Sequence, residues 1–207
     1  MPNIPNRLID GPDRSSLTVV LAHGAGAAMD TEFMNTVAAG IANKGIRVVR
    51  FEFPYMAQRR ETGQKRPPDR EPVLKETWRT VLESVGAETL VIGGKSMGGR
   101  IASLIADEAN VKGLICLGYP FHPTEKPDKL RIEHLKSITT PTLILQGERD
   151  PFGNKDEVKD YDLSSQVQIQ WLPDGDHSFK PRKMSGRTWD ENLGKGIEAI
   201  AAFLNQL

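Results

Sequence analysis

Cysteine is almost missing from this 207-residue chain: Cys116 is the only one, which excludes an internal disulfide. It lies in the apolar run Gly113-Leu114-Ile115-Cys116-Leu117 and reads as a small buried hydrophobe. An excess of charge of one sign is missing too. Lysine plus arginine number 27 and aspartate plus glutamate number 27, a formal net charge of zero. No basic surplus is there to hold nucleic acid or an anionic membrane as the main partner. No apolar run nears the ~20 residues that a membrane-spanning helix needs. The start, Met1-Pro2-Asn3-Ile4-Pro5-Asn6-Arg7, lacks the apolar stretch of a secretion signal. No Cys/His grouping has zinc spacing, and no G-x-G-x-x-G follows an apolar run. These absences lead us to expect a cytoplasmic protein that uses no metal or organic cofactor and acts on a small molecule.

What the chain has is alternation. Strand-like apolar runs fall at residues 17–22, 48–53, 90–92, 114–117, 142–145 and 167–171. Several are rich in Val, Ile and Leu without polar alternation, as strands buried on both faces should be. Helical spacing lies between them. Phe33, Val37 and Ile41 mark one helix, and Leu74, Trp78, Val81, Leu82 and Val85 another. Leu193, Ile197, Ile200 and Leu204 mark the last, with Thr188 and Glu191 offering a capping box at its start. Such alternation predicts one α/β domain over residues 1–207: a doubly wound, mostly parallel sheet of about six to seven strands with helices on both faces. In such sheets ligands bind at the carboxyl ends of the strands.

The most informative strand end is Gly94-Lys95-Ser96-Met97-Gly98. It follows an apolar run and leads into Ile101, Leu104 and Ile105 at helical spacing. A serine at the apex of a strand-to-helix turn sits in strained backbone that tolerates only small neighbours two residues away, and both are glycine here. The hydroxyl is lifted clear of the strand, and the helix aims its free N–H groups at negative charge developing nearby. This is a nucleophile elbow, and it points to nucleophilic hydrolysis.

Other strand ends supply partners. His23-Gly24-Ala25-Gly26 follows the first run; its glycines let a backbone N–H turn toward the serine. The N–H of Ala25 (Gly26 as the fallback) would then complete an oxyanion hole with that of Met97, while His23 holds the loop. Asp150, just past the run 142–145 and fixed by Pro151, is placed to orient an imidazole, with Glu148 a second candidate. Among the four histidines, only His177 lies past the last strand, beside the final helix. His134 falls in a charged stretch expected to be solvated, and His122 comes too early in the chain to be the base. His23, Gly26, Tyr55 and His122 are placed around the pocket as substrate contacts.

With these residues in hand, the chain resembles the α/β-hydrolase superfamily over nearly its full length. It is most similar to small members without a lid, around dienelactone hydrolase and the testis-expressed-protein-like hydrolases. The likeness rests on His23-Gly24-Ala25-Gly26, Gly94 to Gly99, Gly147-Glu148-Arg149-Asp150-Pro151 and Gly175-Asp176-His177-Ser178. The chain order Ser96, Asp150, His177 is the one that fold uses. The resemblance implies Ser96 as nucleophile, Asp150 as acid and His177 as base of a serine hydrolase acting on an ester or thioester. The alternatives are an acyltransferase on the same triad and a binding or scaffold protein that kept the fold. Ser96 departs from the cysteine that dienelactone hydrolases carry at the elbow. About fifteen residues precede the first clear strand, so the family's antiparallel N-terminal strands are expected to be shortened or absent. Residues 120–141 are too few for a separate lid. Residues 55–72, with Arg59, Arg60, Lys65, Arg66 and Arg70 against Glu61, Asp69 and Glu71, are expected to be a structureless connection. In the plainer reading it is a solvated surface loop; in the sharper one it overhangs the site, and its basic groups favour acidic substrates such as a carboxylate- or phosphate-bearing ester.

Overall fold

The computed structural model describes residues 5–86 and 89–207. Residues 1–4, which belong to the N-terminal segment and to the single domain expected over 1–207, lie outside the described residues.

Strands β1 (Arg7–Asp10), β2 (Thr18–Ala22), β3 (Arg47–Phe51), β4 (Leu90–Lys95), β5 (Gly113–Leu117), β6 (Thr142–Gly147) and β7 (Val167–Leu172) form one sheet in the order β1-β3-β2-β4-β5-β6-β7. Every neighbouring pair is parallel except β1 and β3. Alternate residues of each inner strand enter opposite cores. Val20, Ala22, Ile92 and Leu114 face one layer; Val19, Leu21, Val91 and Ile115 face the other. Both faces are therefore dry, which is why these strands read as unbroken apolar runs.

Helices α1 (Glu32–Ala42) and α6 (Trp189–Leu204) cover one face. The other is covered by α2 (Pro54–Thr62), α3 (Glu71–Val85) and α4 (Met97–Ser103). In α3 the helical spacing turns Leu74, Thr77, Trp78 and Val81 inward. Trp78 is fully buried and meets the ring of Phe51 edge-on at 4.7 Å. Burying one side chain the size of Phe51 contributes roughly 1.5–3 kcal/mol. Helix α6 begins with both halves of the Thr188–Glu191 capping box in place. The short helix α5 (Lys155–Val158) follows β6. Among the described residues no helix is long and apolar enough to cross a membrane.

The N-terminal antiparallel part is shortened, as expected, to one four-residue strand, β1, at the sheet edge; its residues alternate between exposed and half-buried and so carry no apolar run. Two features differ from the sequence reading. Residues 55–72 are not structureless, because α2 occupies the first half. Pro54 opens that helix in its first turn and Gly63, at φ 69°, ends it. Only Tyr55 and Met56 of α2 are buried, so the segment shows no helical apolar period. Helix α4 stops at Ser103 with Leu104 as its cap, short of the expected Ile105.

The order of the strands places the site. β2 lies between β3 and β4, so the chain winds away from β2 in both directions, and a crevice opens at the carboxyl ends of β2 and β4.

Candidate active site

Ser96 stands at the end of β4 with φ 51° and ψ −115°, a left-handed conformation that a residue with a side chain adopts only under constraint. Its N–H donates to the carbonyl of Leu117 (3.0 Å) and its own carbonyl accepts from the N–H of Arg100 (3.0 Å), which hold the turn. The glycines are demanded by β2, whose Ala22 is paired with Gly94. A Cβ on Gly94 would run into the Ala22 carbonyl oxygen, and one on Gly98 would lie 2.6 Å from the carbonyl oxygens of both Ala22 and His23. Backbone cannot yield cheaply, so Gly98→Ala is expected to cost roughly 1–3 kcal/mol of stability, the range for overpacked interiors. A thermal melt should show this as a Tm several degrees lower, at about 2–4 °C per kcal/mol for a domain of this size.

The ends of β6 and β7 bring two more groups to the elbow. The hydroxyl of Ser96 donates to Nε2 of His177 at 2.8 Å, and Nδ1–H of His177 donates to Oδ2 of Asp150 at 2.7 Å. Asp150 is fully buried, and the side chain of His177 is 21% exposed. The other Asp150 oxygen accepts from the N–H of Phe152 (2.9 Å), and Oδ2 also accepts from Gln146 Nε2 (3.0 Å). Phe152 lies against the imidazole with ring centroids 4.4 Å apart. The adjacent Asp176 is turned elsewhere and takes the N–H groups of Ser178 and Lys180. Glu148, the second candidate acid, pairs with Lys155 and accepts from the N–H of Asp174.

The loop after β2 is fastened from below. His23 is fully buried; its Nε2 accepts from the N–H of Phe53 (3.1 Å), so Nδ1 carries the proton and donates to the Gly24 carbonyl (2.7 Å). Burial lowers its pKa, which keeps this ring neutral. Tyr55 is buried and donates its hydroxyl to the Ala25 carbonyl (2.9 Å). Arg59 donates to the Gly26 carbonyl (3.1 Å). Arg60 forks between the buried Glu52 (2.6 Å) and Asp30 (2.9 Å). Among the described residues no protein acceptor takes the N–H of Ala25. Met97 opens α4, and an N–H at the first position of a helix has no partner within it.

A cavity of about 330 Å³ adjoins the serine. Ala25, Ser96, Met97, Pro68, Asp69, Glu71, Leu74, Arg100, Pro120, Arg131 and Phe152 line it. Several sequence expectations are corrected here. His23 and Tyr55 brace the loop from within the core and do not line the cavity, and neither does Gly26. His122 is buried 2% exposed, its Nδ1 against the Pro123 carbonyl, away from the cavity. The segment around α2 does reach the cavity, through Pro68 and Asp69, but Arg59 and Arg60 are held by the loop and by carboxylates rather than overhanging the serine.

His134 is not solvated. Its Nε2 lies 2.8 Å from the Ser103 hydroxyl, and burial, then the nearby Arg100 and Lys75, push its pKa down to about 4. The fold therefore holds it neutral, whereas the unfolded chain protonates it near 6.5. Between those values the unfolded state binds more protons, so this contribution to stability is complete above about pH 6.5 and is lost as pH falls toward 4. Replacing it by glutamine removes the effect. Melting His134→Gln beside the parent from pH 7 to pH 4 should show the Tm difference moving in favour of the variant as pH drops.

Two contributors were missed by the sequence reading. Lys95 donates to the His177 carbonyl (2.7 Å) and lies over the Phe33 ring, its pKa pushed down to about 8 by burial. Gln146, fully buried, braces Asp150 and the Tyr119 and Gly153 carbonyls at once. A polar residue closing the apolar run of β6 was the available hint for Gln146. Lys95 is marked only by its neighbours in space.

A mostly parallel sheet with a strained serine at its switch point, reached by a half-buried histidine on a buried aspartate, defines the class as an α/β hydrolase without a lid. The chain belongs to the alpha/beta hydrolase domain family, whose model matches residues 15–205. It is similar in structure to an alpha-beta serine hydrolase homologue from Coxiella burnetii, at 22% identity and a TM-score of 0.71 over 92% of this chain and 90% of that one. An a/b serine hydrolase without lid from Xanthomonas campestris matches at 21% identity and TM-score 0.69, covering 91% of this chain and 84% of that one. Est1E from Butyrivibrio proteoclasticus, solved with ferulic acid bound, matches at 16% identity and TM-score 0.69, over 97% and 94%.

Proposed function

We propose that this α/β hydrolase cleaves ester or thioester bonds through an acyl-enzyme, with Ser96 as nucleophile, His177 as general base and acid, and Asp150 as its orienting carboxylate. The observation that carries the reading is the unbroken hydrogen-bonded row from the Ser96 hydroxyl through both nitrogens of His177 to the buried Asp150. Because Asp150 accepts the hydrogen bond from Nδ1–H and so keeps the proton on that nitrogen, the lone pair of Nε2 faces the serine.

As Oγ of Ser96 attacks the carbonyl carbon, its proton passes to Nε2 and the carbonyl electrons move onto oxygen. The oxyanion is held by the N–H groups of Ala25 and Met97, fixed in place before the reaction. The imidazolium that forms stands against the Asp150 carboxylate, itself held by Gln146 and the Phe152 N–H. Collapse of the tetrahedral species breaks the carbonyl–leaving-group bond, and the leaving alkoxide or thiolate takes the proton from Nε2. Water, deprotonated by the same nitrogen, then attacks the acyl-enzyme and frees Ser96 with its proton restored.

A fluorophosphonate probe, which reacts only with an activated serine, should label the protein at Ser96. Chromogenic esters and acyl thioesters of graded chain length should be turned over. An unlabelled protein that turns over none of them would point to the binding-protein alternative.

A further inference from the structure

We propose that Arg131 is the anion-recognising side chain of the Ser96 cavity, and that the substrate is an ester bearing a carboxylate on the part lodged there. This rests on the serine-hydrolase reading above and names the substrate class for that site.

The main chain of Arg131 is clamped. Its N–H donates to the Phe121 carbonyl (2.7 Å), and its carbonyl accepts from the Tyr119 hydroxyl (2.9 Å), both from fully buried residues. Arg131 lines the cavity that Ser96 also lines. Among the described residues no oxygen accepts from its guanidinium and no carboxylate pairs with it. Of the two arginines that line the cavity, Arg100 has a carboxylate partner in Glu71 and Arg131 has none among the described residues.

The charges around the cavity point to the ligand's own. Arg100 reaches Glu71 at 3.4 Å, and Glu71 also takes Lys75 at 3.2 Å. Asp69 accepts from the N–H of Tyr55. The lining's two cations, Arg100 and Arg131, equal its two carboxylates, Asp69 and Glu71, in number; Arg100 and Lys75 are both drawn to Glu71, and the cation left without a partner is Arg131. Burial and the neighbouring Arg100 both lower the pKa of Arg131, so the bare site holds two cations at a cost that an anion relieves. A single unpartnered guanidinium suits a carboxylate monoanion; a phosphate dianion would remain half uncompensated. The planar fork of a guanidinium matches a carboxylate in two hydrogen bonds. Leu74, Met97, Pro120 and Phe152 supply apolar wall for the carbon chain between that carboxylate and the scissile bond.

The test compares monoethyl with diethyl esters of succinic, adipic and suberic acids on the purified protein. The parent should prefer the half-ester of at least one acid by about tenfold in kcat/KM, and added salt should shrink the preference. Arg131→Gln should bring the half-ester to diester ratio down about tenfold, equivalent to 1.4 kcal/mol, chiefly through KM of the half-ester. Arg131→Lys, which keeps the charge without the fork, should fall between. A parent with no half-ester preference, or a glutamine variant that keeps it, overturns the proposal. Calorimetry of the same half-esters with Ser96→Ala, alone and combined with Arg131→Gln, reads binding without turnover. Weaker binding in the double variant supports Arg131, and equal binding overturns it. If fluorophosphonate labelling and diester turnover are absent from the parent, the hydrolase reading fails on its own, and calorimetry still decides the role of Arg131.

Discussion

Ser96→Ala is expected to lower kcat for ester hydrolysis by roughly four to six orders of magnitude, the loss seen when the nucleophile of a triad is removed. The fold should remain. Alanine keeps the Cβ that Ser96 already carries at φ 51°, so the strain at the elbow is the same in both proteins. What disappears is one hydrogen bond to a partly exposed imidazole, 2.8 Å long, worth about 1 kcal/mol net. Steady-state kinetics beside a thermal melt separates the two effects: activity collapses, Tm moves by a few degrees at most, and the fluorophosphonate label vanishes. A variant that retained most of its esterase activity would remove Ser96 from the chemistry and return the protein to its binding-protein alternative.

Asp150→Asn is the second large effect, with kcat expected to fall by about 10⁴. The surroundings of Asp150 make the amide awkward in either orientation. With its oxygen on the Phe152 N–H, its NH₂ group would face both His177 Nδ1 and the NH₂ group of Gln146, which now donates to Oδ2. Nδ1 would then have to accept, the proton would move to Nε2, and the nitrogen facing Ser96 could no longer take the serine's proton. Flipping the amide instead turns its NH₂ group toward the Phe152 N–H. Asp176→Asn is the control: that carboxylate accepts from two backbone N–H groups of its own turn, so its loss should change kcat only a few-fold. Measuring kcat for both variants on one chromogenic ester decides the matter, and the reverse ranking would exclude Asp150 as the orienting acid.

How legible this protein was depended on how local each cause is. Strands β2 to β6 could be read because both faces of an inner parallel strand are dry, which leaves runs of Val, Ile and Leu, and edge strand β7 because Val167, Ile169 and Trp171 alternate with glutamines. The elbow could be read because Gly94 and Gly98 flank Ser96 within a single turn, and His177 because it follows the last strand. Strand β1 was missed because an edge strand with half its residues in water has no such run. Helix α2 was missed because only two of its residues are buried, and the charge of residues 55–72 then suggested a loose basic flap. His134 was misjudged because its neighbours in sequence are charged, while its neighbours in space are Ser103 and Tyr119.

The sequence by itself determined the class of fold, the order of its strands along the chain, and the residue types standing at their carboxyl ends. Those follow from hydrophobic period and turn chemistry, which act over a few residues. Only the tertiary structure decided what meets what. Pairing β2 with β4 sets Ala22 beside Gly94, and that contact, 72 residues apart along the chain, is what forbids a side chain at the elbow glycines. It also decided that Arg59 and Arg60 brace the loop after β2 while Arg131, unremarked in the sequence, lines the serine's cavity without a partner among the described residues. Charge is visible in a sequence, but whether a charge is neutralised depends on which groups the packed sheet brings within a few ångströms of it.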